Sequence, residues 1–219
     1  MCGRFAISNP RFSRIEATLG TTFPEVRPRY NISPSQTIPV IRGSADGGDE
    51  MVDMRWGLIP YWSEEPKVSY STFNARAETL AEKPAFREPF RSRRCLIPAS
   101  GFFEWKTDAG RKQPYYLTGV GDGGLAFAGL WDEWRRPEES LLSCTIVVGR
   151  PNELVVGIHD RMVVILPEDA YAVWLSPRTS LHTVRSLMRS YPAARMRAWR
   201  VSAAVGNARN EGADLIQPL

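Results

Sequence analysis

The sequence predicts an α+β fold built mainly on antiparallel strands. Short apolar or alternating runs bounded by turn residues outnumber the helical segments, and the two kinds of element follow no regular β-α-β alternation. The 219 residues contain no internal repeat and no Pro- or Ser-rich linker. We therefore expect residues 1–219 to form one domain with a substantial hydrophobic core.

Eight segments have the apolar or alternating pattern of strands, and turn residues separate them. These segments are residues 37–42, 51–56, 94–99, 101–105, 114–117, 124–131, 144–148 and 162–166. The Gly- and Asp-rich stretch at 43–50 is predicted to be a solvated turn.

Helical periodicity marks four further segments, at residues 11–19, 75–81, 167–175 and 180–188. The last two begin with Pro167 and Ser180, residue types that are common at helix starts. Helices and strands are therefore mixed along the chain, as an α+β fold requires.

The composition is that of an ordinary globular protein, with 43% hydrophobic and 24% charged residues. No run of 18 apolar residues and no apolar signal segment is present, which predicts no membrane partner and a cytoplasmic protein, or a nuclear one in a eukaryote. The three cysteines include no CxxC pair and there are only two histidines. We therefore expect no disulfide framework, no metal and no other cofactor.

The net charge of +4 permits binding to nucleic acid without requiring it. Of the 28 basic residues 24 are arginine, whose planar fork can grip a phosphate through two hydrogen bonds. A GC-rich genome that favours arginine codons is an equally good explanation. The local basic run Arg87, Arg91, Arg93 and Arg94 is interpreted as a solvated face.

Cys2 directly follows the initiator methionine, so an aminopeptidase that removes Met1 would leave a cysteine at the N-terminus. Such a residue carries an amine and a thiol on adjacent carbons, both partly nucleophilic near neutral pH. With an aldehyde the amine forms an imine, and the thiol can close on the imine carbon to give a thiazolidine. The alternative is a frayed terminal residue without function.

Two ionisable residues are candidates for proton transfer. Glu104 lies between Phe103 and Trp105 in a predicted strand, where it is either buried for use or turned outward to solvent. His159 precedes Asp160, and it is either a general acid or base or a structural histidine. His182 lacks comparable neighbours and is interpreted as structural.

Two more positions are suited to holding a ligand. Asn74 either caps the predicted helix that follows it or orients a substrate oxygen through its amide. Trp62 lies in a stretch interrupted by Gly and Pro, which could present its ring to an unstacked base. Arg76 and Glu78 are consistent with a solvated helix face.

Eight ordered blocks spread over nearly the whole chain resemble the SRAP family, the SOS response-associated peptidases, regarded as sensors and shields of abasic sites in single-stranded DNA. The blocks are MCGRF at 1–5, RYNISPSQ at 29–36, MRWGLIPYW at 54–62, FNARAET at 73–79, RCLIPASGFFEW at 94–105, FAGLW at 127–131, GIHDRM at 157–162 and VSAAVGNARNEGADLIQPL at 201–219.

The resemblance implies a barrel-like core with flanking helices and a basic groove for single-stranded DNA containing abasic sites. It also implies that Cys2 crosslinks to the lesion, that Asn74 and Glu104 line its pocket, and that His159 assists proton transfer. The remaining implied DNA contacts are phosphate binding by three arginines and stacking by one aromatic residue: Arg4, Arg76, Arg161 and Trp62.

Two positions depart from the family pattern. Val148 stands where Thr is common, and Val163 replaces the Pro that usually follows the histidine motif. The missing hydroxyl would remove a hydrogen bond near the adduct.

Two other functions remain open at the level of sequence. Cys2 could serve an autocatalytic peptidase that releases the single residue before it, or the chain could be a noncatalytic single-strand binding module. Substitution of Cys2 separates the three functions. The chain is expected to act as a monomer.

Overall fold

The computed structural model describes residues 2–9, 11–121 and 123–219, and within them twelve strands and four α-helices. The strands are β1 (Phe5–Ile7), β2 (Arg29–Ile32), β3 (Thr37–Gly43), β4 (Asp49–Trp56), β5 (Asn74–Arg76), β6 (Arg94–Ala99), β7 (Gly101–Asp108), β8 (Arg111–Gly119), β9 (Leu125–Arg136), β10 (Glu139–Gly149), β11 (Met162–Val163) and β12 (Met196–Arg200). The α-helices are α1 (Ser13–Leu19), α2 (Pro84–Ser92), α3 (Tyr171–Leu175) and α4 (Leu181–Leu187).

Five strands form a closed barrel. Strand β10 pairs with β4, β4 with β3, β3 with β6, β6 with β9, and β9 again with β10. All these pairings are antiparallel except that of β4 with β10. The predicted α+β fold with a barrel-like core is therefore confirmed.

A second, five-stranded sheet in the order β12-β8-β7-β1-β2 packs against this barrel. The ring of Phe5 on β1 makes edge contacts with Trp56 and Phe127 of the barrel, at centroid distances of 5.2 and 6.0 Å. All three rings are buried, so the main core continues from the barrel to one face of the second sheet. This junction fixes β1 against the barrel.

Three of the four predicted helical segments form helices, and the fourth prediction is wrong. Residues 74–76 form strand β5, which pairs parallel with β10 opposite Ile146, Val147 and Val148, and turns follow it. The three residues of β5 gain their order from β10, a partner 72 residues away in sequence, and helical periodicity could not reveal it. Helix α2, with Pro84 in its first turn, had not been predicted.

The prediction of a solvated basic run is wrong for Arg94, which is 2% exposed. Its Nε donates to the carbonyl of Trp174 and its Nη1 to those of Phe90 and Arg91, each at 2.7 Å, and its Nη2 donates to Ser176. This side chain therefore satisfies the carbonyls that end α2 and α3. Arg87 and Arg91 are exposed, as predicted. Arg93 is half-buried and pairs with Asp132 at 3.2 Å, so the prediction is wrong for it as well.

We expect Arg94→Met to be strongly destabilising, because it leaves several carbonyls near the ends of two helices without a donor. The expected cost is about 4 kcal/mol in the free energy of unfolding, or a fall of about 10 °C in melting temperature. Urea and thermal unfolding measure it. Arg87→Met on the exposed side of α2 is the control, and equal stability of the two variants would contradict the assignment.

No helix in the described ranges is both long and apolar enough to cross a bilayer.

Candidate functional site

Cys2 lies at the junction between the second sheet and the barrel. It is fully buried, so the alternative of a frayed terminus is wrong. The next residues are tied to β7 by the amide of Phe103, which donates to the carbonyl of Arg4 at 3.0 Å. The Asn74 side chain donates from Nδ2 to the carbonyl of Cys2 at 2.8 Å, which fixes the backbone of Cys2. Met1 and its predicted removal lie outside the described residues.

The thiol of Cys2 is held in its neutral form. Burial raises its pKa well above the ordinary value, and the negative charge of Glu104 raises it further. The thiol donates weakly to the carbonyl of Arg4 at 3.5 Å. A neutral thiol needs a neighbouring base before it can attack an electrophile.

Glu104 is only 1% exposed, although the outward orientation was an equal alternative. Both faces of β7 are covered: Phe103 packs on Tyr116 in a small second core at 5.0 Å between centroids, and Phe102 on the other face belongs to the main core. Strand alternation places Glu104 on the same face as Phe102. Burial raises the pKa of Glu104 to about 7, so both protonation states are populated near neutral pH.

His159 faces Glu104 from the turn before β11, with Nε2 3.8 Å from the carboxylate Oε2. Its Nδ1 accepts the amide hydrogen of Arg161 at 3.0 Å, although Asp160 Oδ1 lies equally near at 3.1 Å. We assign the amide contact because a backbone N–H has a fixed direction, whereas the Asp160 side chain is 86% exposed. The neutral ring then carries its proton on Nε2, towards Glu104. Burial lowers the pKa of His159, which favours this neutral form.

Asn74 and Glu104 each leave one buried oxygen without a hydrogen-bond donor among the described residues, Oδ1 and Oε1 respectively. Asn74 lies in strand β5, so the alternative that it caps a helix is wrong. Orphaned buried acceptors are uncommon in folded proteins and are costly without a partner. The arrangement is therefore suited to a ligand that supplies hydroxyl or amine donors beside Cys2.

The three arginines predicted to hold phosphates differ in environment. Arg76 is exposed at the end of β5. Arg4 is half-buried, donates from Nη1 to the carbonyl of Gly3 at 2.8 Å, and has no hydrogen-bond partner for its buried Nε among the described residues. Burial lowers the pKa of Arg4. Arg161 donates from Nη1 to Glu78 Oε1 at 2.5 Å, so it already has an anionic partner.

Trp62 is 48% exposed, and its neighbour Tyr61 is 52% exposed. The loop that carries both is fixed to β9, because the amide of Tyr61 donates to Asp132 Oδ2 at 3.1 Å and the indole of Trp134 donates to the carbonyl of Ser63 at 2.9 Å. The sequence analysis had not singled out Tyr61 or Asp132, the two residues whose contact fixes this loop. A signal for Asp132 existed in its position within an apolar strand, where an acid requires a partner.

The two positions that depart from the family pattern form one pair. Val148 of β10 lies opposite Val163 of β11, and both are fully buried. The two valines therefore belong to the apolar core behind the turn that carries His159.

Comparison with protein families matches residues 1–208 to SOS response associated peptidase (SRAP). The chain belongs to the SRAP family. A relative named abasic site processing protein YoqW, from Bacillus subtilis (strain 168), is 42% identical, and the match covers 99% of each chain. Abasic site processing protein HMCES of Xenopus tropicalis is 34% identical over 84% of this chain and 64% of its own length. The predicted family is thus confirmed.

Solved structures share this SRAP fold. A protein from Bordetella bronchiseptica is 27% identical, with a TM-score of 0.79 over 92% of this chain and all of its own. A protein from Bacteroides thetaiotaomicron, 24% identical, has a TM-score of 0.85 and matches over the full length of both chains, which shows that the fold is kept at low identity.

Proposed function

We propose that this SRAP protein captures abasic sites in single-stranded DNA by a covalent bond to Cys2, and so shields the lesion during the response to DNA damage. The observation that carries the proposal is the pair of orphaned oxygens of Asn74 and Glu104 around a buried cysteine at position 2. The names of the relatives support the substrate class. One abasic site processing protein is 42% identical to this chain in a match that covers 99% of both.

The chemistry begins with removal of Met1, by an aminopeptidase or by the protein itself. The freed amine of Cys2 attacks the aldehyde carbon of the opened deoxyribose, and loss of water gives an imine. The thiol sulfur then bonds to the imine carbon while its proton passes to the nitrogen, which closes a thiazolidine. No oxidant, metal or further reactant enters this balance.

Proton transfers limit the rate of these reaction steps, because an abasic sugar is mostly a closed hemiacetal and its ring must open first. Glu104, with its pKa near 7, accepts the anomeric hydroxyl proton in its carboxylate form, and His159 assists as a proton donor at Nε2. Glu104 also serves as the base that the neutral Cys2 thiol requires. The Asn74 Oδ1 orients a sugar hydroxyl.

DNA is held without sequence selection. Arg4 and Arg76 bind phosphates, which position a strand but carry no sequence information, and Trp62 stacks on a neighbouring base. Binding should weaken steeply with salt. We propose further that residues 1–219 act as one domain and as a monomer at the nucleoid, or in the nucleus of a eukaryote.

The test is incubation of the purified protein with a single-stranded oligonucleotide that contains one abasic site, followed by denaturing electrophoresis and intact mass. The expected product is a heat-stable adduct of protein and DNA with loss of one water. The same oligonucleotide with a tetrahydrofuran in place of the abasic sugar has no aldehyde and should give none.

A variant with one alanine inserted between Met1 and Cys2 is the sharper control, because it keeps the thiol but separates it from the terminal amine. The proposal predicts that this variant forms no thiazolidine. Absence of any adduct in the parent protein, with Met1 removed as judged by mass, would reject covalent capture. Removal of Met1 in a system without aminopeptidase would instead support an autopeptidase, and strand cleavage would show an additional lyase activity.

Replacement of Trp62 tests the stacking contact. We expect Trp62→Ala to raise the Kd for abasic single-stranded DNA about tenfold or more, because a base loses its aromatic partner. Fluorescence anisotropy with the tetrahydrofuran oligonucleotide, which has no aldehyde and forms no imine, measures noncovalent binding alone. Tyr70→Ala, which removes a ring of similar exposure (51%), is the matched control. An unchanged Kd in Trp62→Ala would contradict the contact.

A further inference from the structure

The ion pair between Arg161 and Glu78 joins the two halves of the site. Glu78 follows β5, the strand whose Asn74 holds the carbonyl of Cys2. Arg161 is two residues after His159, in the turn before β11. The pair is separated by 83 residues in sequence, so it links the segment that holds the nucleophile to the turn that holds the proton-transfer residue.

Each end of this link is fixed locally. On the Glu78 side, the amide of Ala77 donates to the carbonyl of Val148 at 2.8 Å, and the amide of Thr79 donates to that of Arg76 at 3.0 Å. On the other side, the amide of His159 donates to the carbonyl of Val155 at 2.9 Å. The ion pair is a side-chain bridge between these two segments.

The backbone of Arg161 sets the state of the imidazole. Its amide donates to His159 Nδ1 at 3.0 Å and so leaves the proton on Nε2, which faces Glu104. The position of this amide depends on the course of the turn, and the Arg161 guanidinium anchors that turn through a 2.5 Å contact with Glu78 Oε1. The arginine side chain is 26% exposed and the glutamate side chain 42%, so the anchor is partly shielded from solvent.

The geometry points to Glu78 and Arg161 as positioning residues that hold the His159 imidazole in its Nε2-protonated orientation towards Glu104. The inference rests on the proposed function and deepens it. It adds to the phosphate contact predicted for Arg161 from the sequence, because the guanidinium engages Glu78 through Nη1 and has further N–H donors.

The expected signature is a loss of rate without a loss of affinity. A partly exposed ion pair adds little to stability, whereas a small displacement of a catalytic group costs much more in rate. We expect Glu78→Ala to lower the single-turnover crosslinking rate at saturating abasic DNA about tenfold. Its Kd should stay unchanged or fall, because the variant removes a negative charge near the strand.

Conservative variants and a charge-matched variant serve as controls for these rate and Kd measurements. Glu78→Gln keeps an acceptor and Arg161→Lys keeps a cation, so both should recover part of the rate lost in Glu78→Ala and Arg161→Ala. The double alanine variant should be no slower than either single one. Glu82→Ala removes the same charge from an exposed neighbouring position and should leave rate and Kd unchanged.

A second measurement needs no DNA. The chain has two histidines, so His182→Gln leaves one imidazole, and nitrogen-15 NMR then reports the tautomer of His159 directly. We expect Nε2-protonated imidazole in this background and a mixture of tautomers when Glu78→Ala is added. Failure of the parent protein to crosslink would reject the proposed function alone, and the NMR result would still decide the positioning role.

Three results would overturn the inference: an unchanged saturating rate in Glu78→Ala, a slower rate with an unchanged tautomer, or a raised Kd and smaller salt dependence as the only effect of Arg161→Ala. The last result would leave Arg161 as a phosphate contact alone.

Discussion

Cys2→Ala is expected to abolish the heat-stable crosslink to abasic DNA, a loss of at least about 100-fold, because only the thiol adjacent to the amine converts a reversible imine into a thiazolidine. The alanine variant still has an N-terminal amine once Met1 is removed. Borohydride should therefore trap its imine with the abasic site. Denaturing electrophoresis with and without borohydride separates the two steps.

The other two cysteines provide matched controls. Cys95 and Cys144 are also fully buried, so Cys95→Ala and Cys144→Ala remove a thiol of similar environment from the barrel strands β6 and β10. Both variants should crosslink at the parent rate. A stable adduct in Cys2→Ala without borohydride would show that the bond forms elsewhere on the chain.

Glu104→Gln is expected to slow crosslinking about 100-fold, since it removes the base for ring opening and for the thiol. The parent rate should rise with pH through about 7 as the carboxylate forms, because burial raises the pKa of Glu104 to that value. A second rise near pH 8 belongs to the terminal amine, with an ordinary pKa of about 7.7 to 8.0. The variant should lose the first rise and keep the second. Single-turnover rates from pH 5.5 to 9 check this.

The free energy of unfolding, measured as a function of pH, checks that Glu104→Gln is folded. Because the folded pKa of Glu104 is raised from 4.5 to about 7, the folded state binds the proton more tightly than the unfolded state. The parent protein therefore loses stability as pH rises through this window, by about 3 kcal/mol if the whole shift is realised. Glu104→Gln should lack this loss and be the more stable protein at pH 8. A parallel fall in both proteins would contradict the raised pKa.

The strands illustrate what local pattern can predict. The segment at residues 94–99 was predicted with the bounds that β6 has, and β7 and β10 extend their predicted segments. Strand β9 begins one residue later than predicted and runs on to Arg136. These strands are long and carry a strong apolar signal. The unpredicted strands β1, β2, β5 and β12 have only three to five residues each, and neighbouring strands supply their order.

The site residues were within reach of the sequence because their chemistry is unusual for their position. Cysteine at position 2, an acid between two aromatic residues and a His-Asp-Arg turn each indicated a function before any contact was known, and the SRAP resemblance joined them. Their proposed roles as a buried nucleophile, a carboxyl with a raised pKa and an Nε2-protonated imidazole depend on burial and on contacts in the folded chain. The contact between Asn74 and Cys2, for example, spans 72 residues. The residues taken one by one left a nonfunctional alternative for each: a frayed terminus, a solvent-facing acid and a structural histidine.

Local pattern, residue chemistry and the SRAP resemblance therefore sufficed to predict the fold class, most of the long strands, the family and the candidate site residues. The contacts of the folded chain show which strands close the barrel, namely β4, β10, β9, β6 and β3, and they show that Arg94 is a structural residue and that Arg161 is engaged by Glu78. Closure, desolvation and ion pairing depend on groups that are distant in sequence, and no local pattern encodes the distance between them.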